Sequence, residues 1–287
     1  TKDSPIIENS KITVTIPWAT AQVAYQKVLQ HAAQHVKADG FRPGKVPPAV
    51  AEQMLKQSAL FEETLREVLP AAYAEVMKAA KKTPISQPEV EPVQMEKGKD
   101  WVFTVYFAEQ QPITLGKYEE QVKKALKAAE TELTEAVKTA KKELTDSQKE
   151  DIKLKHVFKA LIDETKPKIQ EILVRAEVNR QLQQLVDQLK QLNLKVEDYL
   201  RSRQMTSDQL QQEYVGSSLA TLQLEFVLAE VAKDKKLTVT DAEIDATFDK
   251  IGDGKLSKTQ REDADYRTYL FSTLLKQKVL KHLLELS

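Results

Sequence analysis

Residues 40–47, Gly-Phe-Arg-Pro-Gly-Lys-Val-Pro, break a helical pattern with a glycine-framed tip, and the organisation of the chain is read outward from them. Only seven glycines occur in 287 residues, and two of them, Gly40 and Gly44, frame the tip with an aromatic and a cation between them. Both allow backbone angles closed to residues that carry a Cβ. Pro43 and Pro47 restrict the loop and lower the ordering cost of binding. Phe41 can fill a pocket or stack on a base. Arg42 can fork onto a phosphate or carboxylate, and Lys45 adds a point charge. From spacing alone the simpler reading is a helix–helix turn with Phe41 buried and the cations solvated. The alternative is a contact loop.

On the N-terminal side, Lys11–Ile16 alternates with Ile12, Val14 and Ile16 on one face, which predicts a short strand ended by Pro17. Residues 19–37 then carry an apolar stripe of Ala21, Tyr25, Val28, Ala32 and Val36, a helix that Gly40 should stop. On the other side Pro48 suits a first helical turn, with Val50, Met54 and Leu55 on the apolar side. Leu60, Leu65, Val68, Ala72 and Val76 mark a third helix, which Pro70 should kink. Residues 83–92, with Pro84, Pro88 and Pro92, read as an extended connector or edge strand. Trp101–Phe107 is a strand with Trp101, Phe103, Val105 and Phe107 on one face. Residues 1–115 are therefore expected to form an α+β domain with helices on one face of a sheet.

Composition shifts at Leu115-Gly116, and residues 116–287 are expected to form an all-α domain. Tyr118, Val122, Leu126, Leu133, Val137 and Leu144 line one long helix. Ile152, Phe158, Leu161 and Ile162 mark the next. Pro167 should open another, carrying Ile169, Leu173, Ala176, Leu182, Leu185, Leu189 and Leu192. Three capping boxes follow: Thr206 with Gln209, Thr240 with Glu243 and Ser257 with Gln260. Leu270, Leu274, Leu280 and Leu284 mark the last helix. Long helices with narrow apolar stripes predict an elongated body of arm-like helices packed in pairs.

Lysine plus arginine and aspartate plus glutamate both number 43, so a global electrostatic grip on nucleic acid is not expected and any such contact is local. The absence of cysteine excludes disulfides, thiolate metal sites and thiol nucleophiles. No apolar run approaches the ~18 residues that span a bilayer, and no membrane partner is expected. Thr1–Ser10 lacks a signal-peptide pattern, although a cleaved leader could precede it, so a cytoplasmic location is favoured. Asp249, Asp253 and Gly254 match three calcium-loop positions. Ile251 and Gln260 stand where carboxylates are needed, so residues 249–260 read as a polar turn. His31 and His35 form an i,i+4 pair without a third ligand, which reads as a solvated helix face. No catalytic residue, metal site, nucleotide motif or cofactor is expected.

Gly-Phe-Arg-x-Gly-Lys-x-Pro between two helices resembles the ribosome-docking signature of the trigger factor family of bacterial chaperones. The Ile12–Pro17 strand, Gln87-Pro88-Glu89-Val90, the 101–107 strand and Leu115-Gly116-Lys117-Tyr118 are similar to that family as well. So are Ile172-Leu173-Val174 with Glu177, Leu194–Leu210 with Asp198-Tyr199-Leu200, and Leu237–Ile244. The resemblance implies a loop that docks on a ribosomal protein beside the tunnel exit and on nearby ribosomal RNA. Carried over by position, Gly40, Phe41, Arg42, Gly44, Lys45 and Pro47 form the docking site. Phe41 would be the apolar contact, Arg42 the principal cation and Lys45 a supporting one. Some members carry a further basic residue where this chain has Pro43.

Typical members insert a β-rich, glycine-rich prolyl isomerase domain before the helical body. Residues 116–164 stand in its place here, helical and almost without glycine. The expected function is thus an ATP-independent holdase and folding chaperone, not an enzyme, that shields nascent and unfolded polypeptides without isomerase activity. A homodimer is left open. The rival readings are a cell-envelope chaperone of the SurA-like kind and a helical scaffold for one defined partner.

Overall fold

The computed structural model describes residues 4–42, 44–140, 144–251 and 261–286. The chain divides into two compact units, one of residues Glu8–Gln110 and one of the remainder. The remainder includes a two-residue strand, β1 (Ile6–Ile7), near the N-terminus.

The unit Glu8–Gln110 is an α+β domain. Strands β2 (Ser10–Ile16), β3 (Glu89–Gln94) and β4 (Trp101–Phe107) form an antiparallel sheet in the order β2-β4-β3. The pairing Val14↔Phe103 and Ile16↔Trp101 puts the apolar phases of β2 and β4 on one face. Pro92 has no amide to donate, and its strand lies at the sheet edge with a register shift between Pro92 and Gln94. Helices α1 (Trp18–Ala33), α2 (Pro48–Met54) and α3 (Gln57–Ala79) complete the unit. Tyr25, Leu29, Leu60 and Phe61 cover the face made by Val14, Trp101, Phe103 and Val105. The rings interlock, with Phe61 meeting Trp101 edge-on at 5.1 Å and Tyr25 at 5.8 Å.

Two differences from the sequence reading bear on the tip. Helix α1 ends at Ala33, well before Gly40. The Gln34 and His35 amides donate to the His31 and Ala32 carbonyls, a tightened final turn. The chain then bends so that Val36 and Ala38 pack on Ala33, Val46 and Ala51 in a small separate core. In α2 the buried residue is Ala51, and Met54 faces solvent.

The second unit is helical. It contains α4 (Tyr118–Ala140), α5 (Asp146–Thr165), α6 (Glu171–Gln191), α7 (Val196–Ser202), α8 (Ser207–Asp234), α9 (Asp241–Ile251) and α10 (Ala264–Leu284). Helix α4 packs along α5, and α6 along α8. One core joins α4, α5, α8 and α10 through Val122, Leu126, Val157, Leu161, Val227 and Val279. A second lies between α6 and α8, and a third between α9 and α10 around Phe248. Among the described residues from 111 to 168, every helix or strand is a helix.

Several local expectations are corrected. The helix expected to open at Pro167 begins at Glu171, because β5 (Ile169–Gln170) pairs in parallel with β1, Ile6 opposite Ile169. That pairing also sets Ile6 and Ile7 in the helical unit, whereas the sequence boundary grouped them with residues 1–115. Leu144 lies beyond the end of α4, and next to it Thr145 forms an unforeseen capping box with Gln148 at the start of α5. The boxes at Thr206 and Thr240 are formed, while Ser257 and Gln260 lie outside the described residues. Helix α8 is long and apolar enough to cross a membrane, which the sequence reading overlooked. Two cores account for that composition. Val227, Leu228 and Val231 serve one, and Tyr214, Val215, Leu219 and Phe226 pack on the other.

Candidate docking surface

The tip leaves α1 and returns into α2. Gly40 at φ +84° and Gly44 at φ +77° take the left-handed backbone that a residue with a Cβ resists. The Phe41 amide donates to the Ala38 carbonyl at 3.2 Å, and the Lys45 amide to the Arg42 carbonyl at 2.9 Å. These bonds make two consecutive turns without regular structure. Val46 is the anchor, being 5% exposed and seated against Ala33 and Ala51. Pro47 and Pro48 then carry the chain into α2, with Pro48 in its first turn.

What the tip presents is the opposite of a core turn. Phe41 keeps 42% of its surface exposed, which rules out the reading in which its ring is buried. Arg42 and Lys45 are both exposed and form no ion pair among the described residues. Gly40, Gly44 and Pro47 are exposed as well, so all six sequence-assigned residues offer surface in one short segment; Pro43 lies outside the described residues. An unpaired guanidinium, an ammonium and an accessible ring can together grip a surface of mixed apolar and anionic character.

A second polar group lies beneath α2. The Tyr25 ring is fully buried in the core while its hydroxyl donates to Glu52 Oε1 at 2.6 Å. Lys97, from the turn between β3 and β4, also donates to Glu52 Oε1 and lies 5.5 Å over the Tyr25 ring. The Lys97 ammonium, then the Tyr25 hydroxyl, hold the Glu52 carboxyl below its usual range. Burial, then the bond to Glu52, pushes the Tyr25 phenol up. Neither Val46 nor this trio was picked out from the sequence. Val46 follows the tip as an ordinary apolar residue, and the trio comes from three separate elements.

Other candidates lack comparable geometry. His31, in the last turn of α1, and His35, just past the helix end, are exposed and meet edge to face at 5.2 Å. Among the described residues no group of three or more His, Asp or Glu side chains could hold a metal. Most of the calcium-like turn at 249–260 lies outside the described residues.

The family model for the C-terminus of the bacterial trigger factor protein matches residues 126–285, more than half of the sequence. The chain belongs to the trigger factor family. The family's N-terminal model matches residues 4–144 and so takes in the tip and the sheet beneath it. The trigger factor of Staphylococcus epidermidis is 33% identical over 108 residues, 38% of this chain and 25% of that protein. That of Lactiplantibacillus plantarum is 37% identical over 94 residues, 33% of this chain and 21% of the relative. That of Mycobacterium leprae is 34% identical over 95 residues, 33% of this chain and 20% of the relative. The matched stretch is thus a quarter or less of each of these trigger factors. A solved structure of the trigger factor chaperone has a TM-score of 0.61 at 14% identity and covers 96% of each chain. At that identity the likeness is one of fold. Together the two family models account for both units, and they overlap at residues 126–144, largely within α4.

Proposed function

We propose that this trigger factor family chain is an ATP-independent chaperone that docks on the ribosome through residues 40–47 and shields nascent and unfolded polypeptides. One observation carries the docking reading: Phe41, Arg42 and Lys45 stand exposed together on a tip that Val46 anchors, with both cations unpaired among the described residues. A ribosomal protein beside the tunnel exit would receive Phe41, and adjacent ribosomal RNA or a carboxylate would receive Arg42, with Lys45 in support. The unit Glu8–Gln110 is the docking module and the helical unit holds clients.

The helical unit supports this division by what it leaves uncovered. Tyr266, Tyr269 and Phe271 on α10 are exposed large side chains, as are Leu192 and Leu194 after α6. A groove of about 400 Å³ between α8 and α10 is lined in part by Leu228, Ala229 and Val279. Shallow, adaptable apolar surface of this kind suits weak and promiscuous binding. Holding an emerging apolar segment keeps it from aggregating until the rest of its sequence is made. The reaction is binding and release, in the cytoplasm, with no bond chemistry. Among the described residues from 111 to 168 the regular structure is helix, which supports the proposed lack of isomerase activity.

The test is cosedimentation with ribosomes. Phe41→Ala combined with Arg42→Ala should abolish it while leaving the fold, and the suppression of client aggregation in free solution, intact. Undiminished cosedimentation would overturn the docking assignment. Failure to suppress aggregation of several unrelated unfolded clients would overturn the chaperone assignment and favour a scaffold.

A further inference from the structure

The tip is presented on a helix that has little else to hold it. Helix α2 has seven residues, and Ala51 is the one it buries. Such a helix is too short to be stable by itself and takes its orientation from tertiary contacts. On the tip side those contacts are the small core of Val46, Ala33 and Ala51. Val50 and Leu55 add partly buried contacts, and Glu52, next to Ala51, supplies the polar one. Its Oε1 accepts from the Tyr25 hydroxyl at 2.6 Å and from the Lys97 ammonium.

The two donors come from rigid places. Tyr25 is locked in the aromatic core between Trp18 and Phe61. Lys97 sits in the β3–β4 turn, where the adjacent Glu96 carbonyl accepts from the Trp101 indole at 3.1 Å. One carboxylate oxygen therefore ties α2 to α1 and to the sheet. A charged hydrogen bond of this kind is directional, so it fixes an angle as well as a distance.

We infer that Glu52 is a positioning residue for the docking tip, setting through α2 the angle at which Phe41, Arg42 and Lys45 leave the domain. This rests on the reading of residues 40–47 as the docking site. Preorganisation of a binding segment raises affinity by lowering what must be ordered on contact. Removing Glu52 loosens the tip without touching any group that meets the partner.

The experiment compares the full chain with Glu52→Ala, Glu52→Gln and Arg42→Ala. It measures ribosome affinity by cosedimentation titration, and hydrogen exchange of peptides spanning residues 38–55 and 57–79. Glu52→Ala should weaken ribosome binding about tenfold and speed exchange in 38–55 while 57–79 stays protected. Glu52→Gln keeps an amide oxygen that can accept from Tyr25 and Lys97, and should recover most of the affinity. Unchanged exchange in 38–55, or exchange that rises equally in both peptides, would overturn the positioning role. So would unchanged affinity in Glu52→Ala when Arg42→Ala weakens binding, because a merely structural residue lowers stability without altering affinity of the folded chain. If Arg42→Ala leaves binding intact, it is the docking reading that fails, and the exchange pattern alone then decides whether Glu52 orders the tip.

Discussion

Salt titration of ribosome binding separates the two kinds of contact assigned to the tip. Arg42 and Lys45 are exposed and unpaired among the described residues, so each is free to neutralise a phosphate. Each neutralised phosphate contributes about 0.7–0.9 to the slope of log affinity against log salt. Two cations give a slope of about 1.4–1.8, and raising salt from about 50 to about 200 mM should then weaken binding about tenfold. A broadly basic surface making six to ten such contacts loses roughly 10³–10⁵ over the same interval. Phe41 acts through area. With 42% of its surface exposed and a buried area of about 200 Å² for an aromatic side chain, a partner can cover about 85 Å² of it. At ~25 cal/mol per Å² that is about 2 kcal/mol, or about thirtyfold in affinity.

The variants should therefore part company. Phe41→Ala should lower affinity about thirtyfold at every salt concentration, giving a line parallel to that of the parent. Arg42→Ala should halve the slope, so that the same salt interval costs only about threefold. Cosedimentation titrations at four or five salt concentrations resolve both. A parallel line for Arg42→Ala would show that its guanidinium meets no phosphate. A parent loss near a thousandfold would show that cations outside residues 40–47 carry the binding, and the tip would not be the principal contact.

Three further outcomes are expected. Glu243 accepts from the Lys278 ammonium at 2.8 Å and the Thr240 amide at 2.9 Å, which hold its carboxyl at about 2 against an ordinary 4.5. The unfolded chain therefore takes up this proton first, so the stability it gives is complete above about 4.5 and is lost as pH falls from there towards 2; Glu243→Gln should flatten urea midpoints across that window, and an unchanged pH profile would sink the assignment. Lys236 closes α8 at φ +52°, with the Leu237 amide donating to the Ala232 carbonyl at 2.9 Å. Left-handed geometry costs a residue with a Cβ about 1–2 kcal/mol, and glycine's greater freedom when unfolded returns about 0.4–1, so Lys236→Gly should stabilise by about 0.5–1 kcal/mol in far-UV circular dichroism melts; destabilisation would count against it. A prolyl isomerase assay on a proline-containing peptide should read blank, and turnover would reveal a catalytic site in this chain.

What the sequence disclosed and what it concealed divide along the range of the interactions. The alternation of Trp101–Phe107 survives in β4 because a period of two is local, and one face of that strand meets α1 and α3 while neighbours pair on both sides. Strand β1 has two residues and a partner at Ile169 in a distant part of the chain, so no local pattern marks it and the residues after Pro167 look like a helix start. Helix ends were concealed for a related reason. Lys81, Lys166, Gln204 and Lys236 take left-handed angles that glycine usually fills, and a lysine there carries no stop signal. The tip shows the same division within a few residues. Residue types alone leave a turn with Phe41 buried as the simpler reading, and it is the resemblance to the family's docking signature that points to Phe41 and Arg42. The end of α1 at Ala33, the burial of Val46 and the meeting of Tyr25, Glu52 and Lys97 under α2 arise only once distant elements pack. Exposure of Phe41 follows from that packing as well, since α1 stops at Ala33 and it is Val46, not Phe41, that sits in the small core with Ala33 and Ala51.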